Sequence, residues 1–274
     1  TLLQLNYLAF TAPRRDEEAF QTLISILKSQ LANKDKNPKA AFSDSIQMMG
    51  SNYSPRTILE DIALVDKVNL DKALEIYQAR FANPADFVFT FVGNVDPNDP
   101  VFQNLVCTWL GGLNASKKKE KVVDHGVRVP EGINKNYFSR KMETKTASNR
   151  IQYTSYDIPY TLSNDLNMEM IGRILSTRYL ESIREREGGS YGVGCGGGLN
   201  IFPVPTAYLI MQFDTDPDKQ EKLMSIIHEE VNTIIENGPL AKDLNKEKES
   251  MLKDFQEDLE KNSYWQTALY MYFL

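Results

Sequence analysis

The sequence predicts an α+β fold in which sheets pack against long helices, and three observations support this class. Short runs such as Phe87–Val92 are rich in aromatic and β-branched residues, which is typical of buried strands. Longer segments place apolar residues at helical spacing, as Phe20, Leu23 and Leu27 show. The predicted strands and helices do not alternate regularly, so an α+β arrangement is favoured over repeated βαβ units.

The composition limits the classes of function to be considered. Of the 274 residues, 42% are hydrophobic and 25% are charged, as in ordinary globular proteins. The net charge of -6 argues against nucleic-acid binding, because phosphate groups require clustered Lys and Arg. No apolar run approaches the ~20 residues of a membrane-spanning helix. The two cysteines, Cys107 and Cys195, are predicted to be small buried side chains that form no disulfide.

The first half of the chain is predicted to begin with a strand, Leu2–Phe10, and to continue with capped helices. Short polar side chains at the start of each helix can accept hydrogen bonds from the free N–H groups of the first turn. A proline directly after two of them suits the first helical position. The predicted N-caps are Asp16 and Asp96, Asn37-Pro38 is expected to open a helix, and a further helix is expected to begin near Asn69.

A change of composition between residues 116 and 136 predicts a linker. Lysines, Pro130 and Gly132 replace the periodic apolar residues there. We therefore expect one α+β domain at 1–115 and a second, similar domain at 137–274. The second domain is predicted to contain strands at 137–144, 149–156, 191–198 and 207–213, with long helices at 163–187 and after residue 216. Because the chain starts and ends in apolar runs, we expect it to be part of a longer protein.

The sequence lacks the residues needed for an independent catalytic metal site. A zinc peptidase site uses about three protein ligands, commonly two His and a carboxylate. The chain has two histidines, His125 and His228, and neither lies in an HExxH or HxxEH motif. We therefore expect this chain to bind no metal, with His228 at the rim of the apolar face of a helix.

A literal GxGxxG sequence starts at Gly192, but its context argues against a dinucleotide site. The nucleotide-binding motif follows a strand and opens a helix, whereas Gly192 follows a predicted helix and leads into extended chain. A nucleophile elbow, which requires a Ser on a turn from a strand into a helix, is also not predicted. The spacing of Gly192, Gly194, Gly196 and Gly198 at every second residue predicts a strand with one bare face, which another backbone or a ligand could approach closely.

One segment of the second domain carries a specific resemblance. Leu180-Glu-Ser-Ile-Arg184 followed by Tyr191-Gly-Val resembles the Arg/Tyr segment of the pitrilysin, insulin-degrading-enzyme and mitochondrial-processing-peptidase family, in which the Arg and the Tyr have the same separation. The passages Phe91-Val-Gly-Asn-Val-Asp-Pro and Trp109-Leu-Gly-Gly-Leu are similar to a second family pattern. Because the matches occur in the family's order, the resemblance extends over most of the chain.

The resemblance implies the architecture of an inverzincin zinc metallopeptidase. Family members have two bowl-like halves, each made of two similar α+β domains, and one half carries the inverted zinc motif. This chain would correspond to most of the third domain and much of the fourth, in the C-terminal half that lacks zinc. The implied cofactor is zinc in the full-length enzyme, with none bound by this chain. The implied partners are a zinc-bearing N-terminal half, in the same polypeptide or as a separate subunit, and a peptide or protein substrate. The expected location is a bacterial periplasm or cell envelope.

In this interpretation the chain is the substrate-binding half of a zinc-dependent endopeptidase and is inactive alone. The resemblance gives Tyr191 a hydrogen bond to the oxyanion or to a substrate carbonyl, and gives Arg184 a contact with the substrate backbone. Gly189, Gly192 and Gly194 are expected to leave room for an extended peptide.

Two alternatives stay open at the level of the sequence. The chain could be a catalytically inactive structural or assembly homologue of the same family, or an unrelated α+β module that binds peptides or proteins. From the residues alone, Arg184 is a cation that favours a helix C-terminus, and Tyr191 is a half-buried strand aromatic. Arg186 could replace Arg184 in the pair, but the spacing to Tyr191 favours Arg184.

Overall fold

A computed structural model describes residues 2–116, 119–185 and 192–273 of the chain. These residues contain both α-helices and β-strands, and the predicted α+β class is confirmed. The helices are α1 (Leu2–Thr11), α2 (Glu17–Ala32), α3 (Pro38–Gly50), α4 (Ile62–Val65), α5 (Leu70–Phe81), α6 (Pro100–Trp109), α7 (Leu162–Tyr179), α8 (Gln220–Asn237), α9 (Ala241–Asp258) and α10 (Asn262–Phe273). The strands are β1 (Ala147–Ser155), β2 (Gly194–Asn200) and β3 (Thr206–Thr215). None of the helices in the described ranges is long and apolar enough to cross a membrane.

The chain divides into two compact units, and neither is continuous in sequence. The first comprises Thr1–Lys34, Leu59–Lys121 and Phe255–Leu274, and the second comprises Asp35–Ile58 and Val122–Asp254. The domains 1–115 and 137–274 and the linker 116–136 stay a prediction, because units defined by contacts need not coincide with the domains of a family.

The first unit has an aromatic cluster between α1 and α5. Phe10 makes edge-on contacts with Phe81 and Phe87, with ring centroids 5.1 and 4.8 Å apart. Tyr77 stacks on Phe81 at 4.3 Å, and its hydroxyl donates to the Ala9 carbonyl at 2.9 Å. Aromatic pairs of this kind stabilise the packing beyond the area that they bury.

Two strand predictions in the first unit are wrong for the same reason. Leu2–Phe10 is helical, within α1, and Phe87–Val92 forms no strand among the described residues. Tyr7 and Phe10 are three residues apart, so a helix places both on one side, where each meets another aromatic ring. A short apolar run does not by itself decide between helix and strand, and the packing partners do.

The helix starts predicted at Asp16, Asn37 and Asn69 are confirmed. The side chains of Asp16, Asn37 and Asn69 accept hydrogen bonds from first-turn N–H groups of α2, α3 and α5. Asp96 does not cap α6, because this helix starts at Pro100. Its N-cap is Asp99, which accepts a hydrogen bond from the Val101 N–H at 3.0 Å. Both Asp-Pro pairs satisfy the local rule, but only the second directly precedes the apolar helical run.

The second unit is built on an antiparallel sheet with the strand order β1-β3-β2. Along β3, buried and more exposed side chains alternate, as expected for a strand that is covered on one face. Its buried residues Leu209, Met211 and Phe213 belong to one core cluster with residues from the α7 and α8 segments. Those residues are Leu175, Tyr179, Ile183, Leu223, Ile227 and Val231.

The other strand predictions fall in the second unit. β1 and β3 confirm the predicted strands at 149–156 and 207–213, and β2 matches the Gly-rich strand at 191–198, whose first residue lies outside the described residues. The stretch 137–144 forms no strand in the structure. Tyr137 in this stretch is 72% exposed, so the apolar side chains of the stretch have no covered sheet face to pack against.

Candidate substrate-binding segment

The predicted Arg/Tyr segment lies between the end of α7 and the start of β2. α7 continues directly into a π-helical turn, Leu180–Glu185, in which Ile183 is fully buried. The backbone of Arg184 belongs to this turn, and its side chain lies outside what the structure describes. Tyr191 and Gly189 also lie outside the described residues. Single π-helical turns are frequent at functional sites, which makes this junction a candidate site.

Ion pairs hold the C-terminal half of α7 against α8 and α9. The Arg178 guanidinium lies 2.5 Å from Glu230 and 3.3 Å from Asp243, and all three side chains are less than 20% exposed. Thr177 donates a hydrogen bond to the buried Glu247 at 3.1 Å. Charges removed from water are tolerated only when they are paired, so this network favours a single position of the helix.

Tyr179 adds a neutral contact at the same end of α7. Its side chain is fully buried, and its hydroxyl donates to the Ile227 carbonyl of α8 at 3.2 Å. Burial raises the pKa of Tyr179 well above its ordinary value, so the hydroxyl keeps its proton and remains a donor. The turn that carries Arg184 therefore follows a firmly held helix end.

Two glycines allow α7 to approach the backbone of β2. A Cβ atom on Gly172 would lie 2.6 Å from the Gly197 nitrogen and 3.0 Å from atoms of Gly196, which is too close for a real side chain. A Cβ atom on Gly197 would clash with the Met168 carbonyl of α7. Sequence reasoning missed this pair, because the helix and the strand meet only in the folded chain.

Side chains of α7 also occupy the backbone groups of β2 that β3 does not use. The Ser176 hydroxyl donates to the Cys195 carbonyl at 3.2 Å and accepts from the Cys195 N–H at 3.1 Å. The Asp165 carboxylate accepts from the Leu199 N–H at 2.8 Å. A peptide can add to a sheet edge only where such groups are free, so β2 cannot receive one at these positions.

One face of β2, in contrast, is open. Among the described residues, a Cβ atom on Gly192 or Gly196 would meet no atom within 4 Å, and one on Gly194 would make only an ordinary contact, at 3.8 Å. The open face ends at Gly198, where the Tyr208 hydroxyl would lie 2.9 Å from such an atom. A ligand can therefore approach the face of this strand near the Arg/Tyr segment, although its edge is occupied at Cys195 and Leu199.

Comparison with known proteins identifies the family. Residues 67–251 match the model of the peptidase M16 inactive domain. The chain belongs to this family. It is 25% identical to a zinc protease PQQL-like protein of Arabidopsis thaliana, over 97% of this chain and 29% of that protein. The M16 membership confirms the resemblance seen in the sequence and excludes an unrelated α+β module.

Solved structures of proteases share the fold of this M16 inactive domain. The periplasmic protease PqqL from Escherichia coli is similar with a TM-score of 0.77 at 17% identity, over 91% of this chain and 27% of that chain. A protease from Helicobacter pylori is similar with a TM-score of 0.74 at 13% identity, over 99% of this chain and 66% of that chain. The chain thus spans about 29% of the length of its plant relative and 27% of PqqL.

The part of this M16 inactive domain that the structure describes has no group of three or more His, Cys, Asp or Glu residues that could hold a metal ion. His228 is exposed on α8, next to buried Ile227, and its Nδ1 atom lies 2.9 Å from the Tyr153 hydroxyl. This is the expected position at the rim of the apolar face.

The two cysteines have different surroundings. Cys195 is partly buried in β2, and burial raises the pKa of its thiol to about 12, so little thiolate forms at neutral pH. Cys107 is exposed on α6, and the prediction that it is buried is wrong. The reason is the orientation of α6, which turns Phe102 and Val106 inward instead.

Proposed function

We propose that the chain is the C-terminal, substrate-binding half of a zinc-dependent endopeptidase. The observation that carries this proposal is the firm packing of the described residues on both sides of the Arg184–Tyr191 segment. Fully buried Ile183 directly precedes Arg184, and buried Val193 lies two residues after Tyr191. Ion pairs hold α7 before the segment, and Ser176 binds β2 after it. A site supported in this way can keep functional side chains at a constant spacing.

Each proposed role follows from side-chain chemistry. Tyr191 donates its phenolic hydrogen bond to the oxyanion or to a nearby substrate carbonyl, where negative charge develops. Arg184, permanently charged and with several donors in one plane, binds the substrate backbone. We propose that Gly189, Gly192 and Gly194 leave room for an extended peptide. A zinc ion bound by the other half supplies an activated water and polarises the scissile carbonyl.

The closed edge of β2 limits how the substrate binds. Because Ser176 and Asp165 use the backbone groups of Cys195 and Leu199, the peptide does not extend this sheet at β2. We propose that it pairs with a strand of the zinc-bearing half and crosses the open face of β2.

The proposal requires a zinc-bearing N-terminal half, joined in the same polypeptide or supplied as a separate subunit. The plant relative is named a zinc protease, and this chain covers 29% of it, which leaves ample length for such a half. For a bacterial source we propose the periplasm or cell envelope, since the similar PqqL structure is that of a periplasmic protease.

Reconstitution with the zinc-bearing half tests the proposal. The chain alone should bind no stoichiometric zinc and should cleave no peptide, and fusion or mixing with the other half should give peptidase activity. Removing one oxyanion donor costs about 100- to 1,000-fold in kcat, and we expect this loss for Tyr191→Phe. Arg184→Ala should raise KM, because substrate binding is lost. Initial rates on a quenched fluorescent peptide measure both effects.

Matched surface substitutions serve as controls for this experiment. Tyr137→Phe and Arg56→Ala make the same chemical changes at exposed positions and should leave kcat and KM unchanged. If Arg184→Ala and Tyr191→Phe also leave them unchanged, the substrate-holding role is wrong and the inactive structural homologue is favoured. Zinc binding and peptide cleavage by the chain alone would rule out the half-enzyme.

A further inference from the structure

Ser176 connects the two elements that border the Arg/Tyr segment. It lies in α7, before Arg184, and both hydrogen bonds of its hydroxyl go to Cys195 in β2, after Tyr191. Ser176 thus joins the described elements on the two sides of this segment.

A serine within a helix usually has a simpler option, which is to donate to a carbonyl one turn earlier in the same helix. Ser182 donates in this way to the Arg178 carbonyl at 2.9 Å, and Ser225 to the Glu221 carbonyl at 3.1 Å. Ser176 instead forms both of these hydrogen bonds, as donor and as acceptor, with the backbone of the strand. Its hydroxyl therefore contributes to the contact between α7 and β2 and not to the helix itself.

The contact also selects the register of β2 against the helix. Cys195 faces the core side of the strand, while Gly194 and Gly196 on either side of it face open space. A shift by one residue would turn every side chain of a strand to the opposite face. The pairing of Ser176 with both backbone groups of Cys195 favours the register in which the glycines face outward.

We propose that Ser176 is a positioning residue for Arg184 and Tyr191, which rests on the proposed function of that pair. By fixing the start of β2 against α7, it sets the relative position of the two elements that flank the pair. Substrate contacts made by the pair depend on that position, and a displacement of about 1 Å can cost on the order of 100-fold in rate.

The test compares Ser176→Ala, Ser176→Thr and Ser225→Ala in the chain joined to its zinc-bearing half. Ser176→Ala should lower kcat/KM by about 10- to 100-fold, and Ser176→Thr, which keeps a hydroxyl, should recover most of this loss. Ser225→Ala removes a hydroxyl bound only within its own helix and should leave kcat/KM unchanged. Thermal unfolding of each variant shows whether it is folded. If Ser176→Ala does not fold, Ser176→Val replaces it, because Val and Thr differ only in the hydroxyl.

A double-mutant cycle separates positioning from general stability. If Ser176 acts through Tyr191, then Ser176→Ala should reduce kcat/KM much less in a Tyr191→Phe background than in the unmodified protein. A full and independent loss in that background, an unchanged kcat/KM, or no recovery by Ser176→Thr would overturn the inference. If Arg184→Ala and Tyr191→Phe themselves have no effect, the proposed function fails first, whatever Ser176→Ala does.

Discussion

The contact between Gly172 and β2 leaves no space for a methyl group. In Gly172→Ala the nearest atoms belong to the backbone of Gly196 and Gly197, which cannot move aside as a flexible side chain can. We expect the free energy of unfolding to fall by about 1–3 kcal/mol, as measured by urea denaturation. Gly196→Ala on the open face is the control and should change it by less than about 0.5 kcal/mol. Equal losses would contradict close packing of α7 on β2.

The cysteines provide a second prediction for single residues. At pH 8 a thiol reagent should label exposed Cys107 rapidly and Cys195 slowly, because Cys195 is partly buried and burial raises its pKa to about 12. The unfolded thiol has the ordinary value of 9.0, so the folded state holds its proton more tightly. The contribution of the protonated Cys195 thiol to the free energy of unfolding is complete below about pH 9 and disappears as the pH rises to about 12.

Two measurements check the behaviour of Cys195. Cys107→Ala isolates the slow reaction, which should become fast in denaturant. The difference in unfolding free energy between the unmodified chain and Cys195→Ala should shrink between pH 9 and pH 12. Rapid labelling of Cys195 in the folded chain would mean that β2 is not held against α7.

Single residues differ in how far the sequence predicts their role. Asp16 and Asn37 were predictable as caps, because an N-cap depends on neighbours within one turn. Gly172 and Ser176 were not predictable, because their partners lie in another element. The positions of Tyr191 and Gly189 and the side chain of Arg184 lie outside the described residues, so their roles stay predictions.

At the scale of whole elements, α7 is fixed by ion pairs whose strength depends on burial. Arg178→Met would leave Glu230 and Asp243 without their partner, in positions where each is less than 20% exposed. We expect a loss of about 3 kcal/mol in the free energy of unfolding. Arg173→Met breaks a more exposed pair with Asp254 and should cost at most about 1 kcal/mol. Chemical denaturation of both variants measures the difference, and similar values would argue against a buried network.

Helices were easier to predict than strands for a physical reason. The periodicity and caps of α2 and α5 are local, whereas a strand needs a partner from elsewhere in the chain. Phe87–Val92 has the composition of a strand but packs its rings on Phe10 without pairing. β3 was predictable because its apolar run is central in the sheet and pairs on both sides.

At the scale of the whole molecule, zinc should matter for activity and not for the fold of this chain. Treating the reconstituted enzyme with a chelator should abolish peptide cleavage, whereas it should not shift the thermal unfolding midpoint of the isolated chain. The reason is that the described residues contain no group that could hold the metal, and an ion stabilises only a protein that binds it. A lower midpoint after chelation would reveal a metal site in this chain.

The family could be recognised from the sequence because several short patterns occur in the right order. The two compact units could not be predicted in the same way, since each combines distant parts of the chain. Asp35–Ile58, for example, belongs to the same unit as Val122–Asp254, and no local change of composition marks this association.

The contacts of Ser176 and Asp165 with β2 have a further consequence in concentrated solution. An edge strand that is rich in glycine and has unpaired N–H groups is a template on which a second molecule can build β-structure. Here the N–H groups of Cys195 and Leu199 already bind side chains of α7. The hydrogen bonds that connect α7 to β2 thereby protect this sheet edge against intermolecular aggregation.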